Sequence, residues 1–220
     1  MTLTEYAYEM MELVRKNLVD DDPLDIRLVK QLIKDQRTIA ISNAINKGSN
    51  SNQGVQYGTG AGYDGGWDPY LQTGTFSASV VSHEESGLPC YENNIYWKVS
   101  DFPTALTLGR RPGVLRVIPN GPNPYEFSPT ILFASYDRAM WIGNGRFNAS
   151  QLTSFVRGDA LYVMTKFSAT PPTITSVVVD MIPEDPSDMP GYDDEVDDFP
   201  LGKLWPYMQD PILKNLLRKL

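Results

Sequence analysis

Ile182-Pro-Glu-Asp-Pro-Ser-Asp-Met-Pro-Gly-Tyr-Asp-Asp-Glu-Val-Asp-Asp-Phe-Pro200 is a proline-punctuated acidic stretch without a single Lys or Arg. Its eight carboxylates, Glu184, Asp185, Asp188, Asp193, Asp194, Glu195, Asp197 and Asp198, equal the formal net charge of the whole 220-residue chain, -8. Everything else therefore sums to neutral. The stretch divides a region of β character from a terminal segment, 203–220, that carries four basic residues against one Asp. Charge segregated in this way points to a modular chain that lies against other surfaces, and away from a catalytic pocket.

Working upstream, the region before the stretch is a series of short β-like runs. These are Thr75–Val81, Ile95–Val99, Ala105–Leu108, Val114–Ile118, Thr130–Phe133, Ala160–Met164 and Ile174–Val179. Pro, Gly and Asn punctuate them closely, which predicts a small antiparallel barrel or sandwich. Within it, Asn148–Phe155 reads as one short helix. Downstream, Asp210-Pro211 supplies a cap and a first-turn proline, and Leu213, Leu216, Leu217 and Leu220 then make an amphipathic helix with Lys214, Arg218 and Lys219 opposite. That helix is expected to pack on the N-terminal helices or on a neighbouring subunit.

At the N-terminus, Thr2-Leu-Thr-Glu5 fits a capping box. Leu3, Tyr6, Ala7, Met10, Val14 and Leu18 then recur at helical spacing. Asp22 and Pro23 read as the cap and first residue of a second helix, which carries Leu28, Val29, Leu32, Ile33, Ile39, Ala40 and Ala44 and stops near Gly48. Ile26, Ile41 and Ile45 fall off its main stripe, so it should meet more than one neighbour. The two helices predict an antiparallel hairpin. Between Gly48 and Thr75 the chain turns Gly-, Ser- and Asn-rich, too long and polar for an ordinary connector. Tyr57, Tyr63, Trp67 and Tyr70 give that segment adhesive side chains suited to contact on assembly. The predicted class is α+β, with a helical hairpin over 1–48, a polar loop over 49–74 and an antiparallel β body over 75–182. An acidic arm over 183–203 and a terminal helix over 204–220 complete it.

Composition excludes several functions. An acidic balance carries no basic footprint for tight nucleic-acid binding. Cys90 is the only cysteine, so no intrachain disulfide is available, and His83 is the only histidine. One histidine without paired Cys or His cannot complete an ordinary zinc site. A Ser-His-Asp triad would need His83, yet the chain has no Gly-x-Ser-x-Gly elbow. Gly60-Ala-Gly-Tyr-Asp-Gly65 matches a dinucleotide fingerprint by letters, but neither a strand precedes it nor a helix follows. The acidic run lacks the ligand spacing of an EF-hand loop and reads as a solvated connector. Arg110, Arg111 and Arg138 are isolated basic points suited to touching phosphate or to pairing with acids of neighbouring subunits. No apolar run approaches the length of a membrane span, and no signal peptide is recognisable. The expectation is no catalytic residue, no metal and no cofactor.

Three segments together carry a family resemblance: Gly143-Asn-Gly-Arg-Phe-Asn148, Ile182-Pro-Glu-Asp-Pro186 and Leu28-Val-Lys-Gln-Leu-Ile-Lys-Asp-Gln-Arg37. With Asp198-Phe-Pro200 and a leucine-rich end, the chain resembles the structural ring or adaptor proteins at the head–tail junction of crAss-like and related Bacteroidetes phages. The resemblance implies a homo-oligomeric ring, twelvefold, stacked beneath the portal and beside other neck and tail proteins. Its lumen would pass double-stranded DNA without reading sequence. It implies a virion protein made in the host bacterial cytoplasm, with no membrane contact. On that reading Gly143, Gly145 and Pro186 shape turns, Arg146 and Phe147 anchor one of them, Leu213, Leu216 and Leu217 dock the terminal helix, and Tyr63, Trp67 and Tyr70 reach an adjacent protein. The alternative is a monomeric β-sandwich module binding carbohydrate or protein through its Tyr/Trp-rich loop.

Overall fold

Thr2 and Glu5 start the first helix as a reciprocal capping box. The Glu5 amide donates to Thr2 Oγ1 (3.2 Å) and the Thr2 amide donates to Glu5 Oε2 (2.9 Å), so two orphan amides of the first turn are satisfied. The computed structural model describes residues 1–17, 24–50, 68–89, 94–108, 111–120, 131–143, 152–166, 173–201 and 203–218. They fall into two compact units. One, largely helical, comprises Met1–Leu71, Leu106–Arg110 and Glu184–Leu220; the other, β-rich, comprises Gln72–Ala105 and Arg111–Pro183.

In the helical unit, α1 (Leu3–Asn17) buries Leu3, Tyr6, Ala7, Met10 and Val14, the stripe expected from its spacing. The second helix, α2 (Ile26–Asn50), begins later than expected. Asp25 Oδ1 accepts from the Arg27 amide (2.9 Å) and serves as the cap, whereas Asp22 and Pro23 lie outside the described residues. The helix also runs past Gly48 to Asn50. Val29, Leu32, Ile33 and Ile41 are buried, while Ile39 points to solvent.

The terminal helix α5 (Trp205–Leu217) corrects another expectation. It starts five residues before Asp210, with Pro206 in its first turn, and Pro211 sits inside it. A proline there removes one backbone hydrogen bond and crowds the preceding turn. Trp205, Met208, Ile212 and Leu216 recur on one face and are buried with α1 and α2. Each such side chain contributes about 1.5–3 kcal/mol on burial. Four of them outweigh one lost bond. Glu9 of α1 locks the contact, accepting from Trp205 Nε1 (3.0 Å) and Gln209 Nε2 (2.9 Å).

The acidic stretch is not an extended connector. From Glu184 onward it belongs to the helical unit as a strap across it. Asp185 caps a short 3-10 turn, Pro186–Asp188, by accepting from the Ser187 amide (2.9 Å). Apolar residues set among the acids are its anchors: Met189, Phe199 and Leu201 are buried, the last two in the core with Leu3, Tyr6 and Met10. The Thr4 amide donates to the Asp194 carbonyl (3.3 Å), and the Phe199 amide to the Met1 carbonyl (3.0 Å).

In the β-rich unit, seven strands form one curled sheet. They are β1 (Gln72–Val81), β2 (Asn94–Val99), β5 (Val114–Asn120), β6 (Leu132–Phe133), β7 (Thr153–Arg157), β8 (Ala160–Lys166) and β9 (Ser176–Met181). Of two further two-residue strands, β3 (Thr107–Leu108) belongs to the helical unit and β4 (Arg111–Pro112) to the β-rich one. The sheet order is β5-β9-β1-β2-β8-β7-β6, antiparallel except for β6 with β7. A bridge between Val117 and Ile131 brings the two edges of the sheet together, so the curl is barrel-like, in line with the class expected.

Strand β7 replaces the helix expected over Asn148–Phe155. Its residues 153–155 are extended, and 148–151 lie outside the described residues. Thr153-Ser-Phe-Val-Arg157 pairs with β8 through Arg157 opposite Ala160, leaving Gly158-Asp159 as a two-residue hairpin loop. Gly158 takes a φ of 60°, the left-handed value that primed hairpin turns require at their first position. The helix of this region is instead α4 (Tyr136–Gly143), which lies over Tyr96, Phe155, Tyr162 and Met164 with the Phe155 and Tyr162 rings stacked at 5.6 Å. Another short helix, α3 (His83–Ser86), is capped by Ser82. The one buried carboxylate of the sheet, Asp180 of β9, is held from both neighbouring strands. Thr73 Oγ1 donates to it (2.7 Å) and Arg116 Nε donates to it (2.6 Å), each directly opposite in register.

Candidate assembly surface

Lys34 and Arg37 stand one turn apart on α2 and hold the strap. Lys34 Nζ lies 3.0 Å from Asp185 and 3.9 Å from Asp194, and it donates to Ser187 Oγ (2.6 Å). Ser187 Oγ in turn donates to Asp194 (2.8 Å), closing a small network. Arg37 is fully buried. Its Nε donates to the Pro200 carbonyl (3.0 Å), and its guanidinium lies 5.8 Å from the Phe199 ring centre. Burial draws its pKa down to about 10, and the nearby Tyr192, Asp185 and Tyr70 act against that shift. The guanidinium remains cationic at neutral pH and fastens backbone. Burial also pushes the Tyr192 hydroxyl well above its usual range, with Asp194 and Asp197 adding to the effect.

Apart from charged groups, the features able to face other molecules are exposed apolar side chains on ordered elements. In the helical unit these include Tyr8 on α1, Ile39 on α2, Val196 on the strap (75 % exposed), and Tyr207 (77 %) and Leu217 on α5. In the β-rich unit they are Val80 on β1 and Trp141 on α4, the latter 80 % exposed. Single exposed apolar residues are ordinary on protein surfaces. A tryptophan held out by a helix is the residue type that dominates protein–protein interfaces.

The residues singled out from sequence are placed as follows. Tyr63, Trp67, Gly145, Arg146 and Phe147 lie outside the described residues. Tyr70 ends a short 3-10 turn, half-buried, and burial raises its hydroxyl pKa while Arg37 opposes the rise. Gly143 is the last residue of α4, and Pro186 is buried at the start of the strap's 3-10 turn. Leu216 is in the core, Leu213 packs against it, and only Leu217 of the three is exposed. Sequence reasoning passed over Arg37, Trp141, Val196 and Tyr207 as site residues. Tyr207 had a readable signal, since Tyr207, Lys214 and Arg218 share one helical stripe. Trp141 had none, because the helix carrying it was not expected.

His83 packs edge-on against the Tyr96 ring at 5.5 Å. Among the described residues no group of His, Cys, Asp and Glu could hold a metal ion, and no helix is long and apolar enough to cross a membrane. The fold is α+β, and exposed apolar side chains stand on ordered elements of both units. The chain belongs to the phage tail ring protein 2 family of crAss-like phages, which it matches over residues 5–220. No curated protein matches it.

Proposed function

We propose that this tail ring protein forms a closed homo-oligomeric ring at the neck of the virion, joining head to tail beneath the portal. The observation that carries the reading is the family match over nearly the whole chain, 5–220. The protein acts mechanically, with no catalytic step, as a virion component made in the host cytoplasm. A side-by-side heterologous contact closes into a ring when its rotation permits, twelvefold symmetry being the form expected here. Double-stranded DNA passes through the lumen. A net charge of -8 suits that passage, because phosphate contacts that arrest DNA need Lys and Arg. Trp141, Tyr70 and Leu217 are among the described side chains offered to neighbouring proteins, together with Tyr63 and Trp67.

The test is native mass spectrometry of the purified chain with and without the phage's portal protein. A ring-sized complex in the portal-containing sample is expected. A chain that stays monomeric at high concentration and ignores the portal overturns the reading. Glycan titration of that same monomer would then decide for the carbohydrate-binding alternative.

A further inference from the structure

The helical unit carries two exposed surfaces of opposite sign. Along α5 and its C-cap, Lys214 and Arg218 lie seven and eleven residues after Tyr207 on one outward stripe, flanked by Leu217, Asp210 and the preceding Lys203. The buried face of the helix, Trp205, Met208, Ile212 and Leu216, points the other way. Among the described residues Lys203, Lys214 and Arg218 form no ion pair. The strap carries the complement. Lys34 engages Asp185 and Asp194, and the N-terminal ammonium pairs with Asp198 at 2.6 Å. Glu184, Asp188, Asp193, Glu195 and Asp197 have no cationic partner among the described residues. The turn that holds three of them also lifts Val196 into solvent.

We propose that successive subunits meet head to tail through these two surfaces, the α5 stripe of one copy seating on the acidic turn 193–198 of the next. The proposal rests on the ring reading above and specifies its interface. A ring built from identical chains needs two different, complementary patches on each chain. Here one patch is cationic around Tyr207 and Leu217, and the other is anionic around Val196. Each combines exposed apolar side chains with charges mainly of one sign, Asp210 being the exception on α5, an arrangement that sets register and disfavours wrong pairings. Self-pairing is disfavoured on both sides. Two α5 stripes repel, and so do two acidic turns. The same chemistry explains why the strap's charges are left unpaired within the chain.

The test uses the full chain assembled on the portal. Lys214→Glu with Arg218→Glu reverses one surface, and Glu195→Lys with Val196→Lys reverses the other. All four residues are exposed, so melting curves should match the parent protein. Each variant alone is expected to assemble about tenfold less at a given concentration, and an equimolar mixture of the two is expected to recover assembly. Variants that assemble like the parent, or a mixture as poor as either variant, would falsify the proposal while the parent's own ring leaves the ring reading standing. Should the parent fail to form a ring, both fall together. As an independent arm, parent chains labelled with nitrogen-14 and nitrogen-15 are mixed, assembled and coupled with a carbodiimide. Mixed-isotope links from Lys214 to the carboxylates of 193–198 are expected, and rings linked elsewhere but never there overturn the proposal.

Discussion

Arg37 is where the physical chemistry of the helical unit concentrates. A guanidinium with no solvent exposure is tolerated because its stem packs in the core, its Nε meets the Pro200 carbonyl and its face meets Phe199. Arg37→Ala removes all three and should lower the unfolding free energy by about 2–4 kcal/mol, read as a lower urea midpoint. Tyr192 offers the opposite case. Its hydroxyl is buried without a hydrogen-bond partner among the described residues, so Tyr192→Phe should be neutral or stabilising by up to about 1 kcal/mol. The two residues also pull in opposite directions at alkaline pH. Burial lowers the folded pKa of Arg37 to about 10, so the cost of burying its charge shrinks above that pH. Burial raises the folded pKa of Tyr192, so stability that is intact below the ordinary tyrosine range is lost as pH rises through it. Tyr192→Phe should therefore flatten the alkaline loss of stability, measured as urea midpoints from pH 8 to 11. An unchanged pH profile would show that Tyr192 does not titrate differently in the folded state.

At the scale of elements, the strap is the unexpected one. Eight carboxylates in nineteen residues predict a solvated connector, and the carboxylates are indeed mostly at the surface. What the charge count hides is the spacing of Met189, Phe199 and Leu201, which carry the segment into the core, and of Lys34, which meets it from α2. Lys34→Met should loosen the strap by about 1–2 kcal/mol without unfolding the helices. Hydrogen exchange should then rise at Ser187, Met189 and Tyr192 and stay unchanged in β8. Equal protection in both proteins would show that the apolar anchors alone hold the strap. The capping box of α1 and most strands of the sheet were legible in sequence because their determinants are local, a Thr and Glu three apart or a run of β-branched residues between turns. The terminal helix departs from its local signal for the same reason. Asp210-Pro211 is a strong local start signal, yet Trp205 and Met208 extend the helix because they can be buried against α1 and α2.

For the molecule as a whole, charge is unevenly shared. The residues of the helical unit count twelve Lys and Arg against nineteen Asp and Glu, and those of the β-rich unit seven against eight. Assembly through the helical unit should accordingly weaken with salt. The Debye length falls from about 8 Å at 0.15 M to about 3 Å at 1 M, which screens exposed pairs. Ring occupancy on the portal is expected to drop across that range, and a salt-independent ring would point to an apolar interface. Trp141→Ala separates folding from assembly. At 80 % exposure the residue should change stability by no more than about 0.5 kcal/mol. Incorporation into particles should fall nonetheless, scored by complementing a phage that lacks the protein. Normal incorporation would remove Trp141 from the interface.

The amino-acid sequence by itself determined the α+β class, the first helix with its cap, most of the strands and the absence of any recognisable catalytic motif. Each of these follows from residues close together in the chain. Only the tertiary structure decided that Thr153–Arg157 is a strand, because Gly158-Asp159 turns it back onto β8. Only tertiary packing buried Arg37 beneath Pro200 and left Tyr207 and Trp141 outside. The acidic stretch shows the division most clearly. Its charge was visible at once, but whether it hangs free depends on contacts with Met1, Thr4 and Lys34, between 151 and 197 residues away in sequence. No local pattern encodes a contact at that distance.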